Sequence, residues 1–236
     1  MKTLNLNLNY RTVAGTRKCM ELRSVYRKVP GIVYGGSLKE NEKILVTADR
    51  SELTKLINTR AQSFGSSLVN VTISNEFDPS SEEIKNFKCL PRNCTLHNIE
   101  EYPTSCNWMV YDPVKGARVH LPLNLKDTEK CPGLKRGGLV NRQFWYVPCL
   151  VKGEEVPLAL SVSLEGLEIG DRLRWTDILW NEIPEGTSVE CLLFRKESWK
   201  KQGLKNLTLL TISGKSQKMD ESEKEEDVTT TTSATQ

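Results

Sequence analysis

The sequence lacks long apolar runs. In 236 residues, no apolar stretch approaches the roughly 18 to 20 residues that a transmembrane helix requires, so we expect no membrane partner. Residues 1–4 hold no apolar core long enough for a secretory signal, and no transit peptide is evident because strand-like sequence begins at about Leu4. The hydrophobic content of 38% and charged content of 27% are typical of a soluble globular protein, and the length favours two domains.

Histidine and catalytic motifs are also scarce. The two histidines, His97 and His120, lie in strand-like sequence and not beside a serine or cysteine nucleophile pattern. The chain has no nucleophile elbow, Walker loop or dinucleotide fingerprint, and the glycine-rich residues 133–138 are not followed by a strand-to-helix context, which predicts a turn. We therefore expect no enzymatic activity, no cofactor and no small-molecule substrate.

The seven cysteines do not form a recognisable framework. Their number is odd and their spacing scattered, which favours free thiols in a reducing compartment over disulfides. The densest cluster is Cys89, Cys94, His97 and Cys106, but its Cys-x4-Cys spacing is looser than that of common zinc sites. The spacing predicts free thiols and no metal.

Positive charge is concentrated at the start of the chain. Residues 1–60 carry 12 Lys and Arg against 5 Asp and Glu, residues 61–214 carry 18 against 19, and residues 215–236 carry 3 against 6. An excess of cations attracts polyanions by counterion release, although a merely solvated basic face stays open on charge alone.

Residues 15–36 hold the most informative part of this excess. Basic side chains lead into Pro30, which is followed by a short apolar β-branched run and a glycine pair. The sequence predicts phosphate contacts from the cations, and stacking or a hydroxyl donor from the tyrosine that ends the run. The predicted RNA-binding residues are Arg17, Lys18, Arg23, Arg27, Lys28 and Tyr34.

The first half alternates strand and helix patterns. Residues 4–10 have the period of a half-buried strand, residues 16–24 favour a short helix, and Asp49 or Ser51 is a suitable cap for a helix that places Leu53, Leu56 and Ile57 on one face. Further strands are predicted at residues 32–34, 43–47, 67–73 and 108–111, and residues 74–106 are predicted to be loop-rich, with short strands near 86–90 and 94–97.

The second half is predicted to be mainly β. Residues 112–116 are the best candidate for a boundary, which predicts domains at 1–112 and 113–214, and residues 215–236 are predicted to be a disordered acidic and threonine-rich tail. Strands are expected at 118–123 (broken by Pro122), 139–150, 156–164, 172–175, 189–194 and 207–212.

Four motifs occur in the order found in a known family. The first motif lies at residues 15–36: a glycine, then after six residues Leu-Arg, then Lys-Val-Pro-Gly-Ile-Val-Tyr-Gly-Gly. The second is Asn-Ile-Glu-Glu-Tyr-Pro at 98–103. The third is a turn of the type Gly-x-x-x-Gly-Gly-x-Leu at 133–139, and the fourth is Leu-Glu-Gly-Leu-Glu-Ile-Gly-Asp at 164–171. This order resembles the bacterial large-subunit ribosomal protein twenty-five, the family of the general stress protein Ctc, over roughly residues 4–180.

The resemblance implies a fold and partners. It implies an N-terminal β-barrel with small helices, followed by a mainly β C-terminal domain of the Ctc type. It also implies a structural role in the large ribosomal subunit, with neighbouring ribosomal proteins and ribosomal RNA, in the family 5S RNA, as partners bound through the basic N-terminal domain. The chain differs from the family pattern at a few positions: Met20, Glu21, Glu100, Trp108 and Val110.

Two other functions remain open at this point. A related β-barrel pair binds the anticodon in glutaminyl-tRNA synthetase, so a tRNA-binding relative is one alternative. A ribosomal protein-binding module without 5S contacts is the other. The seven cysteines and five tryptophans favour an organellar relative, with the mitochondrial ribosome expected first and a plastid or the bacterial cytoplasm as alternatives.

Overall fold

The computed structural model describes residues 4–36, 38, 42–74, 85–195 and 207–214. The described strands are β1 (Leu4–Tyr10), β2 (Lys28–Tyr34), β3 (Lys43–Asp49), β4 (Val69–Ser74), β5 (Lys85–Leu96), β6 (Pro103–Val110), β7 (Ala117–Lys126), β8 (Leu139–Arg142), β9 (Tyr146–Lys152), β10 (Leu160–Ser163), β11 (Arg172–Arg174), β12 (Ser188–Cys191) and β13 (Thr208–Ser213). The α-helices are α1 (Thr16–Ser24), α2 (Arg50–Arg60) and α3 (Pro132–Lys135), and 3-10 turns lie at Ala61–Ser66, Thr128–Lys130, Trp175–Asp177, Trp180–Glu182 and Leu192–Arg195. Within these described ranges, no helix is long and apolar enough to cross a membrane.

Strands β1 to β6 close into a barrel. Their order around it is β1, β3, β2, β6, β5, β4, with β1 and β4 parallel and most other neighbours antiparallel. Alternation directs one face of each strand inwards, so Leu6 and Leu8 of β1 are buried beside Val33, Val71 and other apolar side chains. The mainly β class and the N-terminal barrel expected from the resemblance are confirmed.

The first helices also follow the sequence patterns. Helix α1 covers the residues predicted for it, and Asp49 is the N-cap of α2, accepting a hydrogen bond from the Glu52 N–H at 3.4 Å. Leu53 of α2 is fully buried against the barrel. The strand predicted at residues 32–34 is longer: β2 already begins at Lys28 and includes Pro30, which pairs with Thr47.

The prediction for residues 85–106 placed strands near 86–90 and 94–97 correctly but was wrong about their extent. Both fall in one long strand, β5, which pairs with the long strand β6 across a turn at residues 97–102. A bulge between Arg92 and Thr95 shifts the register, and Asn93 has a φ of 39°, so the alternation of apolar residues is interrupted and resembles a loop in sequence. The part of this prediction that concerns residues 75–84 lies outside the described residues.

The second half contains two sheets around its own core. One sheet has the order β10, β7, β9, β12 and the other β11, β13, β8. Pro122 does not break β7, which runs through it to Lys126 because β9 pairs with β7 up to Pro122 and β10 pairs with residues 123–126. Residues 139–150 are two strands, β8 and β9, and a single helical turn, α3, occupies part of the predicted glycine-rich turn. The domain limits stay a prediction, and the predicted tail lies outside the described residues.

The barrel packs on the second half of the chain. Leu90 and Tyr111 belong to the same buried cluster as the core of the two following sheets. The Tyr111 hydroxyl donates to the Gly153 carbonyl at 2.8 Å, and the Ser66 hydroxyl donates to the Leu158 carbonyl at 2.7 Å. This interface leaves α1 on a part of the barrel that is open to solvent.

Candidate nucleic-acid interface

Helix α1 is a surface helix that displays its side chains. None of its nine residues, all of which the structure describes, is fully buried, and Met20 is 68% exposed. Long unbranched residues such as Lys, Met, Glu and Arg give it helix propensity without an apolar stripe. Since packing contributes little, polar contacts must position the helix.

Two arginines hold α1 on the barrel: Arg23, which was predicted to contact RNA, and Arg50, which was not. Arg23 Nε donates to the Thr104 carbonyl of β6 at 2.8 Å, and Arg50 Nη2 donates to the Arg23 carbonyl at 2.6 Å. Arg11 fixes the preceding loop, with Nε on the Val46 carbonyl at 3.1 Å and Nη1 on the Val13 carbonyl at 3.1 Å. Arg23 therefore has an anchoring role in the structure, whichever ligand α1 meets.

The remaining predicted cations are spread over α1 and the turn behind it. Arg17 and Lys18 are exposed in the first half of the helix, and Lys18 makes an ion pair with Glu21 at 3.3 Å. Arg27 is exposed in the turn, where its φ of 51° reverses the chain into β2, and Lys28 is the half-buried first residue of that strand. We call Arg17, Lys18, Arg27 and Lys28 the α1 surface.

Tyr34 does not lie on the α1 surface. It ends β2, six residues after Lys28, and a strand rises about 3.3 Å per residue, so the two residues are about 20 Å apart. Tyr34 instead lies close to Arg92, whose pKa is lowered by burial, an effect that Tyr34 opposes. A ligand that contacts both these cations and Tyr34 must therefore be extended.

A cleft between α1 and the barrel adjoins the cations. It has a volume of about 560 Å³ and is lined by Lys18 and Lys28 together with Tyr10, Tyr26 and Leu22. Tyr10 is 40% exposed and Tyr26 is 59% exposed, so two aromatic faces are available beside basic side chains. These tyrosines were missed by the sequence analysis, because only the fold brings Tyr10 of β1 next to α1.

A stack of three side chains supports the base of α1. The Arg50 guanidinium carbon lies 3.9 Å from the ring centroid of Tyr102, and Tyr102 stacks on His97 with centroids 4.9 Å apart and an interplanar angle of 9°. Arg50 is also the residue that donates to the Arg23 carbonyl. The sequence analysis did not single out Arg50, since it stands outside the basic cluster in the chain.

The cysteines and histidine that lie close together in the sequence do not form a group of four in the fold. Cys89 is buried in β5, and burial raises its pKa to about 12, whereas His97 accepts a hydrogen bond from the Glu100 N–H on Nδ1 at 3.3 Å. The part of the chain that the structure describes contains no group of three or more His, Cys, Asp or Glu side chains that could hold a metal ion.

Comparison with known proteins places these features in a family. A sequence model of the "Ribosomal L25p family" matches residues 6–107, and one of "Ribosomal protein TL5, C-terminal domain" matches residues 117–193. These two matches support a protein of the bacterial bL25 type. The L25p match contains the whole of α1, the α1 surface and the Arg50 stack.

Similar relatives cover most of both chains. The large ribosomal subunit protein bL25 of Rhizorhabdus wittichii is 26% identical over 189 residues, which are 80% of this chain and 83% of the relative. The protein of the same name from Pelagibacter ubique is 29% identical over 178 residues, 75% of this chain and 72% of the relative. The resemblance stated from the four motifs is thus confirmed at the level of the family.

Positions that differ from the L25p family pattern fall into two structural groups. Trp108 and Val110 are buried in β6, and Trp108 packs edge-on against Phe64 with ring centroids 6.4 Å apart. Glu21 and Glu100 are exposed, and Glu21 pairs with Lys18. The buried pair contributes to the barrel core, whereas Glu21 reduces the positive charge of α1.

Proposed function

We propose that this protein is a structural constituent of the large ribosomal subunit and binds ribosomal RNA through the α1 surface. Family membership supports a ribosomal and non-enzymatic role, since the similar relatives are named as proteins of the large ribosomal subunit. Neighbouring proteins of that subunit are its further expected partners. The RNA-binding part of the proposal rests on the residues of α1.

One observation carries the RNA-binding proposal: exposed cations surround an aromatic cleft on a helix that contributes no side chain to the core. Arg17 and Arg27 are exposed, and Tyr10 and Tyr26 flank the cleft. Phosphate contacts from cations position an RNA, and aromatic rings accept an unstacked base. A helix kept for packing would bury an apolar stripe, which α1 does not do.

The finer identity of the RNA and the compartment are also proposals. We propose 5S ribosomal RNA as the ligand, because the opening motif at residues 15–36 resembles that of the family members that bind it. RNA helices are read mainly by shape, phosphates and 2′-hydroxyls, so neighbouring cations can compensate for the differences at Met20 and Glu21. We propose the mitochondrial ribosome as the location, on the basis of the seven cysteines and five tryptophans.

A charge-reversal experiment tests the RNA proposal. The double variant Arg17→Glu, Arg27→Glu should bind a 5S RNA fragment more weakly, and the slope of log affinity against log salt should fall by about two, since each lost phosphate contact lowers it by about one. Glutamate in the first turn of α1 suits the helix dipole, so the helix should persist. Fluorescence anisotropy over a salt series measures both quantities.

The matched control carries the same change of charge elsewhere. Arg172 and Arg174 of β11 are exposed in the second half, and their reversal should leave the affinity and the salt slope unchanged. An equal loss of RNA affinity in the two double variants would contradict specific RNA binding by the α1 surface. Crosslinking in cells identifies the ligand: ribosomal RNA supports the proposal, whereas transfer RNA alone, or no RNA, contradicts it.

A further inference from the structure

Two cysteines of the barrel face each other across the β5–β6 bulge. The register pairs Arg92 with Asn107 and Thr95 with Ser105, so Asn93 and Cys94 together stand opposite the single residue Cys106. The Cys94 and Cys106 thiols hydrogen-bond to each other. This contact is independent of the α1 surface and is not used by the proposed RNA-binding function.

The two thiols differ in access to solvent. Cys94 is half-buried and lines a groove of about 290 Å³ with Arg92, Phe64 and other residues, whereas Cys106 is only 1% exposed. The Cys106 thiol lowers the pKa of Cys94 by hydrogen bonding to it, and the same bond together with burial raises the pKa of Cys106. An accessible thiol with a lowered pKa is the one that attacks first.

A second facing pair provides a contrast within the same chain. Cys149 of β9 and Cys191 of β12 are directly opposite in register, but both are buried in the core of the second half. Burial raises the pKa of Cys149, and the charge of Cys191 raises it further. Cys149 and Cys191 are thus neighbours like Cys94 and Cys106, but neither of their thiols is accessible to solvent.

We propose that Cys94 and Cys106 form a reversible thiol–disulfide site for low-molecular-weight disulfides such as glutathione disulfide. The Cys94 thiolate attacks one sulfur of the disulfide, its S–S bond breaks, and one glutathione thiolate leaves and takes up the proton lost by Cys94. The Cys106 thiolate then attacks the Cys94 sulfur and releases the second glutathione, which takes up the Cys106 proton. The protein loses two protons and two electrons, and glutathione disulfide gains them.

The experiment uses the full chain and glutathione disulfide as the probe. After exposure and alkylation, peptide mass mapping should find a Cys94–Cys106 disulfide in the wild type and no glutathione retained on Cys94. The Cys106→Ala variant should stop at the first step and carry one glutathione on Cys94. The Cys94→Ser variant should leave Cys106 reduced, because Cys106 is not reachable from solvent.

Cys19 is the matched control within the same protein. It is also half-buried, but its recorded side-chain contact is with Arg11 Nη1 at 3.4 Å and not with another thiol. Glutathione that reaches Cys19 should therefore remain there, whereas on Cys94 it should be displaced. Pulsed alkylation of the unchanged wild type should label Cys94 at least about tenfold faster than Cys149.

Several outcomes would overturn the proposal. Glutathione persisting on Cys94 in the wild type would show that Cys106 does not resolve it. Oxidation of Cys149 and Cys191 before Cys94 and Cys106 would contradict the explanation that solvent access of the first thiol decides which pair reacts. The disulfide map and the alkylation rates are both measured on the wild type. They therefore test disulfide formation and thiol access even where the Cys106→Ala chain does not fold. None of these results depends on RNA binding.

Discussion

Gly31 shows how a single residue sets the spacing of the barrel strands. It lies in β2, and a Cβ atom at this position would collide with the backbone carbonyl oxygen of Cys106 in β6. Backbone atoms do not move aside as a flexible side chain does. The glycine in the Lys-Val-Pro-Gly-Ile-Val-Tyr run is therefore required by the close approach of two strands, and not by a turn.

Replacing Gly31 by alanine should destabilise the barrel. We expect Gly31→Ala to lower the free energy of unfolding by about 2 kcal/mol, the size of an overpacking penalty in a core. Urea denaturation measures the change. Gly65→Ala is the control, because a Cβ at Gly65 meets no atom within 4 Å; an equal loss in the control would contradict the steric explanation.

At the residue scale, the predicted RNA-binding residues also fall into an anchoring residue, Arg23, and exposed cations. Arg23 was predicted as a phosphate ligand from its place in the basic run, but its Nε is bonded to the Thr104 carbonyl. Its partner lies 81 positions away in the chain, so no local pattern could indicate the contact. Distance in the chain also explains why Tyr10 and Arg50 were missed, but not Tyr26, which stands next to Arg27. Arg17 and Arg27 are exposed, and their contacts with RNA stay a prediction.

At the scale of elements, α2 has a cap that the sequence could indicate. Asp49 accepts hydrogen bonds from the Ser51 hydroxyl and from the Glu52 N–H. The bond from Ser51 lowers the pKa of Asp49 most, burial opposes it as the second-largest effect, and backbone hydrogen bonds lower the pKa further. The ionised carboxylate is thus the form that the folded helix prefers.

The Asp49→Ala variant should be less stable by about 1 kcal/mol at neutral pH, the usual value of an N-cap. Because the folded pKa is lowered, the charged part of this stabilisation is complete above the ordinary value of 3.8 and is lost as the pH falls through the folded pKa. Chemical denaturation over a pH series should show the difference between wild type and variant shrinking in acid. A constant or growing difference would contradict the assignment.

Helix α1 depends on polar anchors, and this dependence can be measured. Arg23→Ala removes the bond to Thr104, and a bond from a charged donor contributes about 1.5 kcal/mol. We expect amide exchange within α1 to become about tenfold faster, with the strand amides unchanged. Arg17→Ala alters the same helix without touching the anchor and should leave the exchange rates as they are; faster exchange in both variants would show that Arg23 has no special role.

The elements differ in how far they could be predicted. Strand β1 has a regular alternation and α1 lies at residues 16–24 as predicted, whereas for α2 the sequence predicted the cap and one apolar face but not the end. Strands β5 and β6 carry a bulge, Pro91 and several polar residues, and only pairing with neighbours makes them continuous. Pro122 likewise reads as a strand breaker in sequence, although pairing with β9 before it and with β10 after it keeps β7 extended.

At the scale of the whole molecule, the basic surface and the rest of the chain have different roles. The L25p match at residues 6–107 and the TL5 C-terminal match at residues 117–193 cover most of the barrel and of the following sheets, and buried Leu90 and Tyr111 link the barrel to the second core. The excess of cations belongs to residues 1–60, which include α1. We therefore expect the second half to contribute stability or protein contacts, and α1 to contribute RNA affinity.

Co-sedimentation with large ribosomal subunits tests the central proposal most directly. The wild-type protein should sediment with the large subunit at moderate salt, and the Arg17→Glu, Arg27→Glu variant should be released at lower salt than the Arg172→Glu, Arg174→Glu control. Incorporation that is equal in all three would contradict RNA binding by the α1 surface and favour protein contacts instead. A wild-type protein found only in the soluble fraction would contradict the ribosomal role itself.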